Sequence, residues 1–298
     1  MTTADESLAA LIADTQHFSP SVRLSAFRSL SKLGVVANQA LPDLTNALND
    51  EDAKIREGAA QAIGQLGREA MPTMVRMLTH PDKYVRRNAV WGLGKLGPQA
   101  KAVMGELCQA LKDEDPRTAA GAAQAIGSMG AEAAPAVPQL AEAMRGTNIV
   151  LCRLAAKALS QIGRPSLATL ISHLKHHDPF VKGEAAVALG WMGPAAAAAV
   201  QPLTELLRGS QMRKASPSQY ASGLLGCGTP TTPVAPPSPV AADNQTEEGT
   251  RINAVTALGR IGPDAMTALP YLQDALTDAS DSVRRAAEVA IRQVQGVE

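Results

Sequence analysis

Val85 to Gly97, VRRNAVWGLGKLG, decides how this chain is read, because most of the remaining sequence restates it. IREGAAQAIGQLG begins at Ile55, VKGEAAVALGWMG at Val181, and INAVTALGRIG ends at Gly262. Self-similarity at a fixed period marks a repeat architecture and outranks any local motif. The closing glycine recurs at Gly34, Gly67, Gly97, Gly130, Gly163, Gly193 and Gly262, with gaps of 33, 30, 33, 33, 30 and 69 residues. The last gap holds one repeat plus an insertion, and a final phrase, SVRRAAEVAIRQV, is read as ending without its glycine. Eight repeats are expected.

Inside a repeat the phrase is a second helix, with Val85, Ala89, Leu93 and Leu96 as its buried stripe. A shorter first helix precedes it: LPDLTNAL places Leu41, Leu44 and Leu48 on one side, and LATLISHL places Leu167, Leu170, Ile171 and Leu174 likewise. Pro42, Pro72, Pro138, Pro202 and Pro270 stand near the start of this helix, where a missing N–H costs nothing. An acidic turn, such as Asp50-Glu51-Asp52 or Asp113-Glu114-Asp115, joins the two helices. Gly64, Gly94, Gly127, Gly190 and Gly259 should let the next helix approach closely, at a cost in helix propensity. The closing glycine is expected as a left-handed C-cap, followed by Pro98, Pro194 or Pro263. Stacked antiparallel helix pairs make the fold class all-α, an α-solenoid.

Aromatic residues are only 3% of the 298, so the core must be Ala, Leu, Ile, Val and Met. Lys plus Arg (28) equals Asp plus Glu (28), which leaves no bulk field to draw nucleic acid or an anionic membrane. Cys108, Cys152 and Cys227 lie far apart without a CxxC pair, as reduced thiols do in a cytoplasmic protein. The N-terminal MTTADESLAALIADT has acids where a signal peptide has bases, and the longest apolar run, Ala195 to Val200, is far short of the roughly 20 residues of a membrane helix. A cytoplasmic protein, with neither membrane nor nucleic acid as partner, is expected. Residues 1–298 read as a single solenoid, with a Pro-, Ser-, Thr- and Gly-rich insertion at 209–248 inside repeat seven that is expected to be disordered.

Candidate chemistry is sparse. GLGKLG matches GxGxxG, but a dinucleotide fingerprint must follow a strand and open a helix, and this one closes a helix. His173 and His177 stand at i, i+4 beside His176 and Asp178, yet no second cluster completes a ligand set, and no metal is expected. Cys227, in GLLGCGTP, lies in loop context without a neighbour to lower its pKa. An Arg after the first apolar residue of the phrase recurs as Arg23, Arg56, Arg86, Arg251 and Arg284, with Lys182 in the same place. Arg at a fixed repeat position can pair with the acidic turns and form a ladder between repeats.

Positions that vary while the frame holds should line the binding groove of a stacked array. Repeat three offers Tyr84, Arg87, Asn88 and Trp91, repeat five offers Arg153 and Lys157, and repeat six offers Phe180 and Glu184, with Trp191 near the groove's edge. Both tryptophans either meet a ligand or plug gaps between repeats.

The phrases VRxxAxxALGxIG with DEDP-type turns resemble the short HEAT-like repeats named after phycobilisome lyases, and the array resembles the CpcE/CpcF-type bilin lyases of cyanobacteria. That resemblance implies a lyase or lyase-isomerase that joins a linear tetrapyrrole to a cysteine of a phycobiliprotein subunit, sometimes with a second HEAT-repeat subunit. The bilin would be substrate, with no cofactor. Trp91 and Tyr84 would then stack on the chromophore, Arg87, Arg153 or Lys157 would hold its propionates, and Glu184 would face its pyrrole N–H groups. No catalytic motif of the family can be matched residue by residue. The alternative is a non-catalytic scaffold or regulatory adaptor that grips a protein partner in the same groove.

Overall fold

The computed structural model describes residues 3–212 and 240–297. The chain divides into two compact blocks, Met1–Pro165 and Ser166–Glu298. In the N-terminal block the helices are α1 (Thr3–Asp14), α2 (Pro20–Leu33), α3 (Leu41–Ala47), α4 (Ala53–Ile63), α5 (Met71–Met77), α6 (Lys83–Leu96), α7 (Met104–Ala110), α8 (Pro116–Ser128), α9 (Val137–Met144) and α10 (Ile149–Ile162). The C-terminal block holds α11 (Leu167–His173), α12 (Pro179–Met192), α13 (Val200–Met212), α14 (Val240–Ile261), α15 (Leu269–Ala275) and α16 (Asp281–Gln295). Each odd-numbered helix packs on the even-numbered one that follows it, and successive even-numbered helices pack in series within each block. Both blocks are thus all-α solenoid segments, and the expected helix pairs are present among the described residues.

The expected insertion, 209–248, falls largely outside the described residues. At its margins α13 continues to Met212 and α14 begins at Val240. The helical stretch Pro179–Gly209 has the length and apolar content of a membrane span. It is not one straight rod, because Gly193, at φ 58°, turns the chain between α12 and α13.

In α6, Val85, Ala89 and Leu93 are fully buried, while Leu96 is only half-buried at the helix end. The small residues act as expected: a Cβ on Gly94 would lie 3.2 Å from Ala125 Cα of the next repeat, and one on Gly92 only 2.7 Å from Gly64 Cα. The even-numbered helices therefore cross with almost no side chain between them.

One expectation is corrected at the helix ends. The closing glycine is not in the left-handed α conformation: Gly97 has φ 52° and ψ −129°, a region open only to glycine. The last phrase has Gln295 in the register of the closing glycine, and α16 runs one residue further before Gly296 caps it in the left-handed conformation, with φ 69° and ψ 26°. The two repeat lengths also find their cause. A 3-10 segment runs six residues beyond Gly34, Gly97 and Gly130, whereas only three, Arg68–Ala70 and Arg164–Ser166, follow Gly67 and Gly163.

Candidate functional site

The frame that positions the site is a ladder of arginines. Arg86 donates from Nε to Asp113 Oδ2 at 2.8 Å in the following repeat, and from Nη1 to the carbonyls of His80 and Pro81 at 2.9 and 3.0 Å in its own turn. Arg56 does the same with Asp82 and the carbonyls of Asp50 and Glu51, and Arg23 with Asp50 and the carbonyls of His17 and Phe18. Arg251 meets Asp278 at 2.9 Å, with both side chains buried. The Arg23, Arg56 and Arg86 rungs each tie a turn to its own helix and to the next repeat, and Arg251 makes the link to the next repeat, so the recurrent Arg is structural. Repeat four has Ala119 in the rung position. Repeat five has Cys152 there, and its thiol reaches the Gly146 carbonyl at 3.1 Å.

Repeat three carries a second pin. Arg87 donates from Nε and Nη2 to Asp115 at 2.8 and 2.5 Å. Asp115 also caps α8, accepting from the Thr118 N–H and hydroxyl at 2.8 and 2.9 Å. The Arg87 guanidinium holds the Asp115 carboxyl well below the usual carboxylate range, against the opposing effect of burial. One edge of Arg87, expected to meet a ligand, is therefore occupied by Asp115.

Around that pin, Tyr84, Arg87, Asn88 and Trp91 come together, since i, i+3, i+4 and i+7 share one side of α6. Asn88 Nδ2 donates to the Tyr84 carbonyl at 2.9 Å. The Arg87 guanidinium lies 5.0 Å from the Tyr84 ring centre, and Lys95 Nζ lies 4.9 Å from that of Trp91 while also bonding Gln65 Oε1. Lys83 Nζ lies 5.5 Å from the Tyr84 ring centre as well, so Tyr84 meets two cations of its own helix and Trp91 one. Tyr84 is 39% and Trp91 43% exposed. Trp91 does plug the gap between repeats, because its ring lies over Gly64 of the preceding repeat, 3.2 Å from where a Cβ would be.

Trp91 is the ridge between two hollows. One, of about 370 Å³, is lined by Glu57 and Gln61 of α4, Tyr84 and Asn88 of α6, and Arg117 of α8. The other, of about 340 Å³, lies between α6 and α8 over Val90, Gly94, Gly121 and Ala125, walled by Lys95, Arg117 and Gln124. Sequence reading missed Arg117 and Gln124. Aligning the phrases on their closing glycine finds them: Lys54, Arg117 and Val150 take the place of Tyr84, and Gln61, Gln124 and Lys157 that of Trp91.

Arg153 and Lys157 are exposed on α10 of the same block. Glu184 and Trp191 belong to α12 of the other block. Glu184 is only 9% exposed, so its carboxylate is not presented on a surface, while Trp191 is 47% exposed at the end of α12.

Four of the five histidines are engaged in their own turn or helix. His176 Nδ1 accepts from the Asp178 N–H, as His80 does from Asp82 and His17 from Ser19, so this is a recurrent turn cap. His173 is buried with Nδ1 at 2.8 Å from the Thr169 carbonyl of its own helix. Gly92 to Gly97 lies within and at the end of α6, as a helix terminus and not a phosphate loop. Burial pushes the Cys108 thiol up, Cys152 is buried, and Cys227 lies outside the described residues.

The family pattern described as HEAT repeats matches this chain over residues 6–79, 41–107, 71–148 and 137–216. Among solved structures, YibA of E. coli is similar over 99% of this chain and 93% of its own, at 14% identity and a TM-score of 0.53. An engineered protein is similar over 99% and 80%, at 18% identity and a TM-score of 0.50. The complex of CpcE and CpcF of phycocyanin lyase from Nostoc sp. PCC7120 is similar over 96% and 94%, at 21% identity and a TM-score of 0.43. No curated protein sequence matches the chain.

Proposed function

The chain belongs to the HEAT-repeat family, and from that premise we propose that it is a binding scaffold whose α4, α6 and α8 trough holds a segment of a protein partner. The observation that carries this reading is the exposed Trp91 ridge with a hollow on either side, beside Arg117, which has no ion-pair partner among the described residues. An exposed aromatic anchor next to an open guanidinium is the composition of an interaction hot spot. The trough is open and its polar groups are spread over three helices, which suits an extended chain. A random-peptide phage library, selected on the wild-type protein and counter-screened on Trp91→Ala and Arg117→Glu, tests the reading. Binders that depend on one of these residues are the expected result; a selection without any such binder overturns it.

A bilin lyase acting on a phycobiliprotein subunit is the second reading. It is supported by the neighbouring exposed rings of Tyr84 and Trp91, onto which a flat conjugated tetrapyrrole could stack. Arg153 and Lys157 would be the propionate partners, since Arg87 is engaged with Asp115. Titration with a free linear tetrapyrrole separates the readings. The scaffold leaves the absorbance spectrum unchanged, whereas a spectral shift lost in Trp91→Ala, followed by a covalent adduct on a co-expressed phycobiliprotein subunit, establishes the lyase.

A further inference from the structure

The chain as a whole has equal numbers of basic and acidic residues, but the trough side of the N-terminal block does not. The positions aligned with Tyr84, Arg87 and Trp91 hold Lys54, Arg117, Arg153 and Lys157 in repeats two, four and five, against the single carboxylate of Glu57. Arg87 is neutralised by Asp115. Lys54, Arg117 and Lys157 are exposed, and none has an ion-pair partner among the described residues.

The floor between α6 and α8 is apolar because side chains are missing from it. A Cβ on Gly121 would lie 2.7 Å from Val90 Cγ2, and Gly94 meets Ala125 directly. An aliphatic side chain fits that floor with Trp91 as its wall. The repeat geometry also sets the spacing of the next contacts along a bound chain. Neighbouring helices pack about 8–10 Å apart, and an extended chain advances roughly 3.3 Å per residue, so one step between repeats corresponds to about three residues of a bound segment.

We propose that the trough recognises an extended acidic segment lying across α6, α8 and α10. In it an aliphatic side chain enters the hollow between α6 and α8, and two carboxylates three residues apart meet Arg117 and then Lys157 or Arg153. This rests on the scaffold reading above and names the partner chemistry of the same surface.

The test uses the fluorescein-labelled peptide Gly-Ser-Leu-Ser-Glu-Ser-Ser-Glu-Ser-Gly, the same residues in reverse order, and fluorescence anisotropy on the full chain. One of the two orders should bind, and Arg117→Glu should weaken it roughly tenfold or more. Lys157→Glu should also weaken it, and replacing both glutamates of the peptide by lysine should restore binding to the Arg117→Glu, Lys157→Glu protein. Moving the glutamates to adjacent positions should lose the affinity. Equal binding of the respaced or lysine peptide to the wild-type protein overturns the proposal, as does tighter binding of a single-stranded oligonucleotide run as competitor. If the phage selection yields Trp91-dependent peptides without acidic residues, this inference fails and the scaffold reading stands. If it yields no peptide that depends on Trp91 or Arg117, both fail. Circular dichroism of each variant confirms that it is folded.

Discussion

Arg87 clasps the Asp115 carboxylate by both oxygens, Nε to Oδ2 at 2.8 Å and Nη2 to Oδ1 at 2.5 Å, and so joins α6 to the cap of α8. Asp115 is buried and its folded pKa is depressed, with the Arg87 hydrogen bond as the largest cause. A depressed carboxylate contributes stability that is fully present above its unfolded value, near 4, and is lost as the pH falls below it.

Asp115→Asn keeps a capping oxygen but removes the charge. It should cost about 2–3 kcal/mol at neutral pH, less than for a fully buried pair because Arg87 retains some solvent contact. Between pH 5 and pH 2 the variant should lose less stability than the wild-type protein. Urea titrations across that window check the sign, and parallel pH profiles would remove the pair from the account.

Arg86 is the best-formed rung: it reaches Asp113 twice and two carbonyls of its own turn, with a side chain 8% exposed. Arg86→Ala strands Asp113 and should destabilise by roughly 3 kcal/mol. Arg86→Lys should recover little, since a point charge cannot serve carboxylate and carbonyls together. Arg284, with a side chain 36% exposed beside Asp281, is the contrast, and its alanine variant should lie within about 1 kcal/mol of wild type. Because repeat arrays unfold region by region, hydrogen exchange at the turns around His80 and Asp113 is the direct readout.

How far the sequence leads depends on whether a partner lies within one repeat or in the next. The small residues Gly64 and Gly94 announce the close helix crossing, and the recurrent Arg announces the ladder. Which carboxylate each Arg meets is not legible, because Asp113 and Asp115 are two residues apart in one turn and only the stacking decides that Arg86 takes the first and Arg87 the second. Variability alone therefore marks Arg87 as ligand-binding, and the structure assigns it to the frame. Glu184 misleads for a related reason: its position varies, as exposed ones do, yet the side chain is buried. The mixture of 33- and 30-residue periods is visible, but its cause, 3-10 segments that run six or three residues past the closing glycine, needs the backbone.

Gly92 and Gly105 should respond to alanine with opposite signs. Both are helical, and Ala favours a helix over Gly by up to about 1 kcal/mol. At Gly105 in α7 nothing lies within 4 Å of the added methyl, so Gly105→Ala should be stabilising by a few tenths to about 1 kcal/mol. At Gly92 the methyl would stand 2.7 Å from Gly64 Cα and 2.9 Å from Met74 Sδ, so α4 and α6 must separate. The expected cost is about 1–3 kcal/mol. Thermal melts of the two variants decide it, and stabilisation at Gly92 would show that the crossing is looser than described.

The break in the ladder at repeat four offers the strictest check of the frame. Arg86 meets Asp113 across 27 positions, as Arg23 meets Asp50 and Arg251 meets Asp278. In repeat four both ends are missing: Ala119 stands where the Arg would be and Gly146 where its Asp would be. Ala119→Arg alone buries a guanidinium at a site 2% exposed with only the turn carbonyls as acceptors, and should destabilise. Gly146→Asp alone, on an exposed turn, should be nearly neutral. Together they should rebuild the rung, with a favourable coupling of roughly 1–3 kcal/mol in a double-mutant cycle. A coupling below about 0.5 kcal/mol, the usual scatter of independent sites, would mean that a rung depends on its wider turn sequence and is not a transferable pair.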